Sequence, residues 1–205
     1  MQKKVLIIGS VWPEPNSSAA GSRMMQLIFC FLNEGYQVVF ASATDDSQYR
    51  YALEDIGVEI NKIALNDSSF DTYIKGAKPE IVLFDRFMTE EQFGWRVEKN
   101  SPDSIRILDT EDLHCLRKAR QKAFKENREF EKTDLFSEVA KREIASIFRS
   151  DVSLMISSVE MRVLQEFFKV PEQLLCYVPF LLDPVSEQRK KELPSFEDRS
   201  HFVTI

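Results

Sequence analysis

The feature that most constrains the fold of this 205-residue chain is a series of short apolar runs separated by helical patterns. Val5-Leu6-Ile7-Ile8, Val38-Val39-Phe40-Ala41 and Ile81-Val82-Leu83-Phe84 contain no polar residue at all. A strand with one wet face alternates polar and apolar residues, whereas a strand covered on both faces reads as an unbroken apolar run. Between the runs, Met24, Leu27, Ile28, Phe31 and Leu32 recur at helical spacing, as do Leu135, Val139, Ile144, Ile147 and Phe148. Strand and helix alternating at this spacing predict βαβ units and a doubly wound, mainly parallel α/β sheet.

The punctuation agrees with that alternation. Gly35 closes the first helix, Gly57 closes a short helix carrying Tyr49, Leu53 and Ile56, and Gly76 closes a turn or two from Ser69 to Lys75. Val58 to Leu65 reads as a strand. Thr89 is the expected N-cap of the helix bearing Phe93, Trp95 and Val97, which stops at Ser101-Pro102. Ile105 to Leu108 is a strand, and Arg117 to Lys132 is a mixed-charge run read as a flap. Asp134 is expected to cap the next helix, and Val152 to Ile156 is again a strand. Ser157 and Glu160 form a capping-box pattern for a helix ended by Pro171, before a seventh strand at Leu174 to Val178. Residues 1–182 are therefore one domain and 183–200 a polar linker. His201-Phe-Val-Thr-Ile205 reads as the first strand of a second domain lying beyond the chain.

Composition excludes several classes. Hydrophobic residues at 43% and charged residues at 29% suit a soluble globular domain, and a net charge of −6 gives no general attraction to nucleic acid. Cys30, Cys115 and Cys176 are odd in number and widely spaced, which fits neither a disulfide framework nor a zinc motif and points to a reducing cytoplasm. The apolar run at Val5 is cut by Gly9, Ser10 and Pro13, well short of a secretory core, and no segment approaches a membrane span. The basic stretch after Arg117 can also lie against anionic lipid, which would place the protein at the inner membrane surface.

The polar residues past the strand ends are the candidate site. Ser104 to Arg117 sets Asp109, Glu111, Asp112, His114 and Arg117 just beyond a strand, and Asp85-Arg86 ends another. In a parallel sheet, ligands bind in the crevice outside the carboxyl ends of the strands. Carboxylates beside one of the chain's two histidines make a plausible acid/base pair. The same residues also serve as caps and turns. Ser17 to Ser22 opens a helix with small residues, and Arg23 in its first turn suits a phosphate or carboxylate, or is an ordinary surface arginine. Asp109, Glu111, Asp112 and His114 have metal-ligand chemistry, but acidic residues after a strand are more often caps, and no metal is expected. A receiver-like domain would need an acidic cluster after the first strand and an aspartate after the third, and neither is present.

These motifs together resemble a family. Gly35-Tyr-Gln-Val-Val39, Pro79-Glu-Ile-Val82, Asp109-x-x-Asp112-x-His114-x-x-Arg117 and Arg142 to Asp151 leading into Ile156-Ser-Ser-x-Glu160-x-x-x-Leu164 are similar to the N-terminal domain of GT-B glycosyltransferases of the group 1, family 4-like type. The resemblance implies two Rossmann-like domains facing a cleft, with acceptor held by the first and nucleotide-sugar by the second. It implies His114 or Asp112 activating or positioning the acceptor hydroxyl, with Asp109 orienting. Ser18, Gly21 and Arg23 would face the diphosphate or acceptor, with Asp85, Arg86 and Arg117 on the same rim. The co-substrate would be a nucleotide-sugar, with no further cofactor, and the acceptor a glycan, lipid or protein. This chain would then be the acceptor half, inactive alone. The alternative is a non-catalytic ligand-binding or partner-interaction domain.

Overall fold

The computed structural model describes residues 3–182 and 184–200. The strand expected at His201 to Ile205 lies outside the described residues. Seven strands form one sheet: β1 Lys4–Gly9, β2 Gln37–Ser42, β3 Glu59–Lys62, β4 Ile81–Asp85, β5 Ile105–Asp109, β6 Val152–Met155 and β7 Leu175–Tyr177. All neighbours pair in parallel, in the order β3-β2-β1-β4-β5-β6-β7. The order reverses direction between β1 and β4, so the crevice of this doubly wound sheet opens at their C-terminal ends.

Side chains alternate between two cores. Leu6, Ile8, Val39, Ala41, Val82, Phe84 and Leu108 point to one face. That face is covered by α2 Ser69–Ala77, α3 Arg86–Asn100, α4 His114–Lys125, α5 Glu138–Arg149 and α6 Ser158–Phe168. Val5, Ile7, Val38, Phe40, Ile81 and Leu83 point to the other, under α1 Ala19–Asn33 and the 3-10 turn Leu53–Ile56. Each fully buried Leu, Ile or Phe of this kind contributes about 1.5 to 3 kcal/mol relative to exposure, and period-two alternation lets the apolar runs supply both layers at once.

Several boundaries differ from the expected ones, each for a local reason. Thr89 is not an N-cap: α3 begins at Arg86, and the Thr89 hydroxyl donates back to the carbonyls of Asp85 and Arg86 within the first turn. Asp134 belongs to a separate 3-10 turn, Lys132–Leu135, and the cap of α5 is Ser137, which accepts from the Ala140 N–H. Helix α2 runs through Gly76 and ends at Lys78, which takes the left-handed conformation (φ 43°) instead. The third strand is shorter than Val58 to Leu65 because it is the sheet edge, paired only with β2. The stretch after Arg117 is not a flap: α4 continues to Lys125 and buries Ala119 and Ala123. Among the described residues no helix is long and apolar enough to cross a membrane.

Candidate active site

The loop from β1 to α1 and the ends of β4 and β5 enclose a cavity of about 150 Å³ at the crevice. Val11, Trp12, Pro13 and Met24 form its apolar wall, and Ser18, Gly21, Asp85, Arg86 and Glu111 supply its polar groups. Ser18 is the N-cap of α1, its hydroxyl accepting from the Gly21 N–H at 3.0 Å. Gly21 is small for a packing reason, since a Cβ there would stand 2.4 Å from the Glu14 carbonyl oxygen. The α1 N-terminus thus lies directly on the backbone of the loop it follows.

Asp85 and Asp109 are paired neighbours at the ends of β4 and β5, and the residues that follow share an uncommon conformation. Arg86 has φ 69° and Glu111 φ 61°, the left-handed region that non-glycine residues seldom adopt. Two such residues side by side at a cleft mark local backbone strain of about 1 to 3 kcal/mol each. Ser10 donates to Asp85 Oδ2 through its N–H (2.9 Å) and its hydroxyl (2.7 Å), and Arg86 donates to the Ser10 hydroxyl at 2.8 Å. Asp85 Oδ1 has no hydrogen-bond donor, only the Arg86 Nε 3.7 Å away, and Glu111 Oε1 has none either. Both residues are more than nine-tenths buried and line the cavity, and each keeps one buried carboxylate oxygen without a donor.

Electrostatics separate the carboxyls. Burial, then the nearby Asp109 and Asp85 charges, push Glu111 up to about 7. Burial is also the larger influence on Asp109 and pushes its carboxyl up, with the Arg23 guanidinium opposing it. Arg23 is itself 1% exposed: it pairs with Asp109 at 2.9 Å and donates to the Val178 carbonyl at 2.8 Å and that of Pro179 at 3.3 Å. The expectation of an anion ligand at Arg23 therefore gives way to a buried strut joining α1, β5 and the end of β7.

Asp112, His114 and Arg117 form a second group at the start of α4, apart from the cavity lining. His114 Nε2 lies 3.3 Å from Asp112 Oδ1, and Arg117 Nε donates to Asp112 Oδ2 at 2.5 Å. The imidazole packs edge-on against Phe87 at 5.5 Å, and burial lowers its pKa while Asp112 works the other way. Two distant carboxylates hold this turn. Glu143 accepts the His114 and Cys115 N–H groups at 2.8 Å each, and Glu160 accepts that of Leu113 at 3.1 Å. Glu160 thus spends its side chain on the α4 start, not on its own capping box; only the Ser157 half of that box forms. Burial pushes the adjacent Cys115 thiol up, so it is an inert core group.

The structure therefore brings Ser18, Gly21, Asp85 and Arg86 to one cavity, places Asp109 beneath it, and sets Asp112, His114 and Arg117 beside it. Among the described residues no group of three or more His, Cys, Asp or Glu is arranged to hold a metal ion. Sequence reasoning passed over Ser10, which anchors Asp85, and the part that Glu143 and Glu160 play in holding the start of α4, and it set Glu111 among the rim carboxylates without singling it out.

No family model matches the chain, and no curated protein matches it by sequence. Solved structures do match. The apo form of the lipopolysaccharide outer core galactosyltransferase WaaB matches with a TM-score of 0.53 at 15% identity, over 89% of this chain and 46% of that one. Sucrose-phosphate synthase from Thermosynechococcus elongatus matches with a TM-score of 0.60 at 14% identity, over 94% of this chain and 53% of that one. The chain spans about half the length of both proteins. At these identities the likeness is one of fold, and it agrees with the architecture described above: a parallel, Rossmann-like α/β domain.

Proposed function

We propose that this chain is the acceptor-side domain of a glycosyltransferase, in which a sugar passes from a nucleotide-sugar held by a second, donor-binding half to an acceptor hydroxyl in the Asp85–Glu111 cavity. The observation that carries the reading is the pair of unsatisfied, buried carboxylate oxygens at the crevice of this fold. Asp85, anchored by Ser10, orients one acceptor hydroxyl. Glu111, with a pKa close to neutrality, accepts the proton of the reacting hydroxyl as its oxygen bonds to the anomeric carbon. The bond from that carbon to the diphosphate breaks, and its electron pair leaves with the nucleoside diphosphate. A base with pKa near the working pH is in the protonation state that proton transfer requires.

His114 and Asp112, the residues that the family resemblance favours, have a supporting place in this scheme, because their side chains engage each other outside the cavity lining. The test is transfer from a panel of nucleotide-sugars by the polypeptide carrying both halves, with products identified by mass spectrometry. Glu111→Gln should lower turnover by about 100- to 10,000-fold, the range for a lost general base, while His114→Ala should cost less than about ten-fold. Full activity in Glu111→Gln would return the role to the His114 group. Ligand binding without any transfer would favour the non-catalytic alternative.

A further inference from the structure

Helix α4 carries a surface that the cleft does not use. Between His114 and Lys125 the sequence holds Arg117, Lys118, Arg120, Lys122 and Lys125 and no carboxylate, in a chain whose net charge is −6. Cys115, Leu116, Ala119 and Ala123 are buried, so the cations fall on the outward arc. At 100° per residue Phe124 projects on the Arg120 side of that arc, between Arg120 and Arg117, and it is 82% exposed. Arg117 is paired with Asp112, but among the described residues no ion pair engages Lys118, Arg120, Lys122 or Lys125. Their position is not forced by a local shortage of acid, because Arg128, one turn on, takes both Glu126 and Asp134.

We propose that this face of α4 docks the domain on an anionic lipid surface, with the four unpaired cations at the headgroups and Phe124 inserted at the acyl boundary. Charge complementarity selects an anionic partner, and Phe124 selects among anionic partners. A protruding phenylalanine on a convex, one-helix-wide face gains most from entering a hydrocarbon boundary, flanked by cations at headgroup level. Nucleic acid would call for a groove tracking the backbone with several stacking platforms, and this face offers one ring and no groove. The proposal stands apart from the glycosyl-transfer reading, since it uses none of the cavity residues. Its consequence for that reading is positional: α4 begins three residues after Glu111, so a docked helix holds the cavity close to the membrane plane.

Co-flotation of the 205-residue chain with phosphatidylcholine vesicles containing phosphatidylglycerol, against pure phosphatidylcholine vesicles, tests it. Binding should require phosphatidylglycerol and should fall as salt rises from about 0.1 M to about 1 M, where the screening length shrinks from about 10 Å to about 3 Å. Replacing Lys118, Arg120, Lys122 and Lys125 by Gln should weaken it by about 600-fold, at about five-fold per cation. Phe124→Ser should weaken it about ten-fold, and Lys190→Gln with Lys191→Gln should leave it unchanged. All of these substitutions are at exposed positions, and thermal melting checks that the variants fold. Equal binding to neutral vesicles, no vesicle binding by the wild-type chain, or binding indifferent to Phe124→Ser and the four glutamines would each overturn the proposal. So would binding of an RNA oligonucleotide or an acidic protein in place of vesicles. Vesicle binding by a chain whose two-domain polypeptide transfers no sugar would keep this inference while sinking the transferase reading.

Discussion

Glu111 combines a left-handed backbone, near-complete burial and an oxygen with no donor. Its carboxyl stays protonated in the folded state up to about pH 7, whereas in the unfolded chain it ionises near 4.5. The folded state therefore holds the extra proton between those values, and stability falls as pH rises through that window. A shift of that size corresponds to at most about 3 kcal/mol. Glu111→Gln keeps the shape and removes the titration. Urea unfolding at pH 4 should give equal stabilities for the two proteins, and at pH 8 the variant should be more stable by about 2 to 3 kcal/mol. Equal stability at both pH values would mean that Glu111 reaches water or a donor in the folded protein. The expected variant is thus more stable and less active, as strained functional positions predict. Sequence placed Glu111 in the right cluster but gave no means of choosing it from Asp109, Asp112 and His114. The choice depends on Arg23 taking Asp109 from 86 positions away, and on a positive φ that a glutamate does not advertise.

At the scale of elements, the sequence was most legible where one physical term dominates. Apolar runs covered on both faces located the strands, and helical spacing located α1, α5 and α6, because burial sets those patterns alone. It was least legible where a polar group has competing uses. Asp134 looks like the cap of α5 yet serves the preceding 3-10 turn, accepting the Glu131 N–H, and Arg128, and Glu160 looks like half of a capping box yet reaches Leu113. The start of α4 shows the consequence. Its first N–H groups have no partner within the helix, and they are satisfied by Glu143, a buried side chain from α5. Glu143→Ala should leave two buried donors open and destabilise the fold by about 2 to 6 kcal/mol, at about 1 to 3 for each group. Hydrogen exchange should show the loss first at His114 and Cys115. Glu160→Ala removes a single, longer bond and should cost less. A Glu143→Ala protein with unchanged exchange at those amides would show that water caps α4 equally well.

The whole molecule poses the question of what the parts beyond Leu182 do for the sheet. Every residue from 184 to 200 is exposed, and the hydrogen bonds of the short helix Glu187–Glu192 and the 3-10 turn Phe196–Asp198 stay within that segment. Among the described residues the last side-chain tie to the body is the Leu181 N–H, which donates to Gln26 on α1 at 2.9 Å, next to the Arg23 bonds at Val178 and Pro179. Among the described residues no hydrogen bond joins residues 184–200 to the sheet or its helices. A chain of residues 1–182 should melt within about 2 °C of the 205-residue chain, since about 1 kcal/mol moves the midpoint of a domain this size by about 2 to 4 °C. The cavity sits wholly within that body, so the shortened chain should keep whatever acceptor affinity the longer one has. Calorimetry with nucleotide-sugars should give no strong binding for either chain. Transfer depends on holding donor and acceptor in contact, and that orientation is lost when one binding half is missing. Micromolar binding of a nucleotide-sugar to residues 1–182 would place the donor pocket inside this sheet and overturn the assignment of the Asp85–Glu111 cavity to the acceptor.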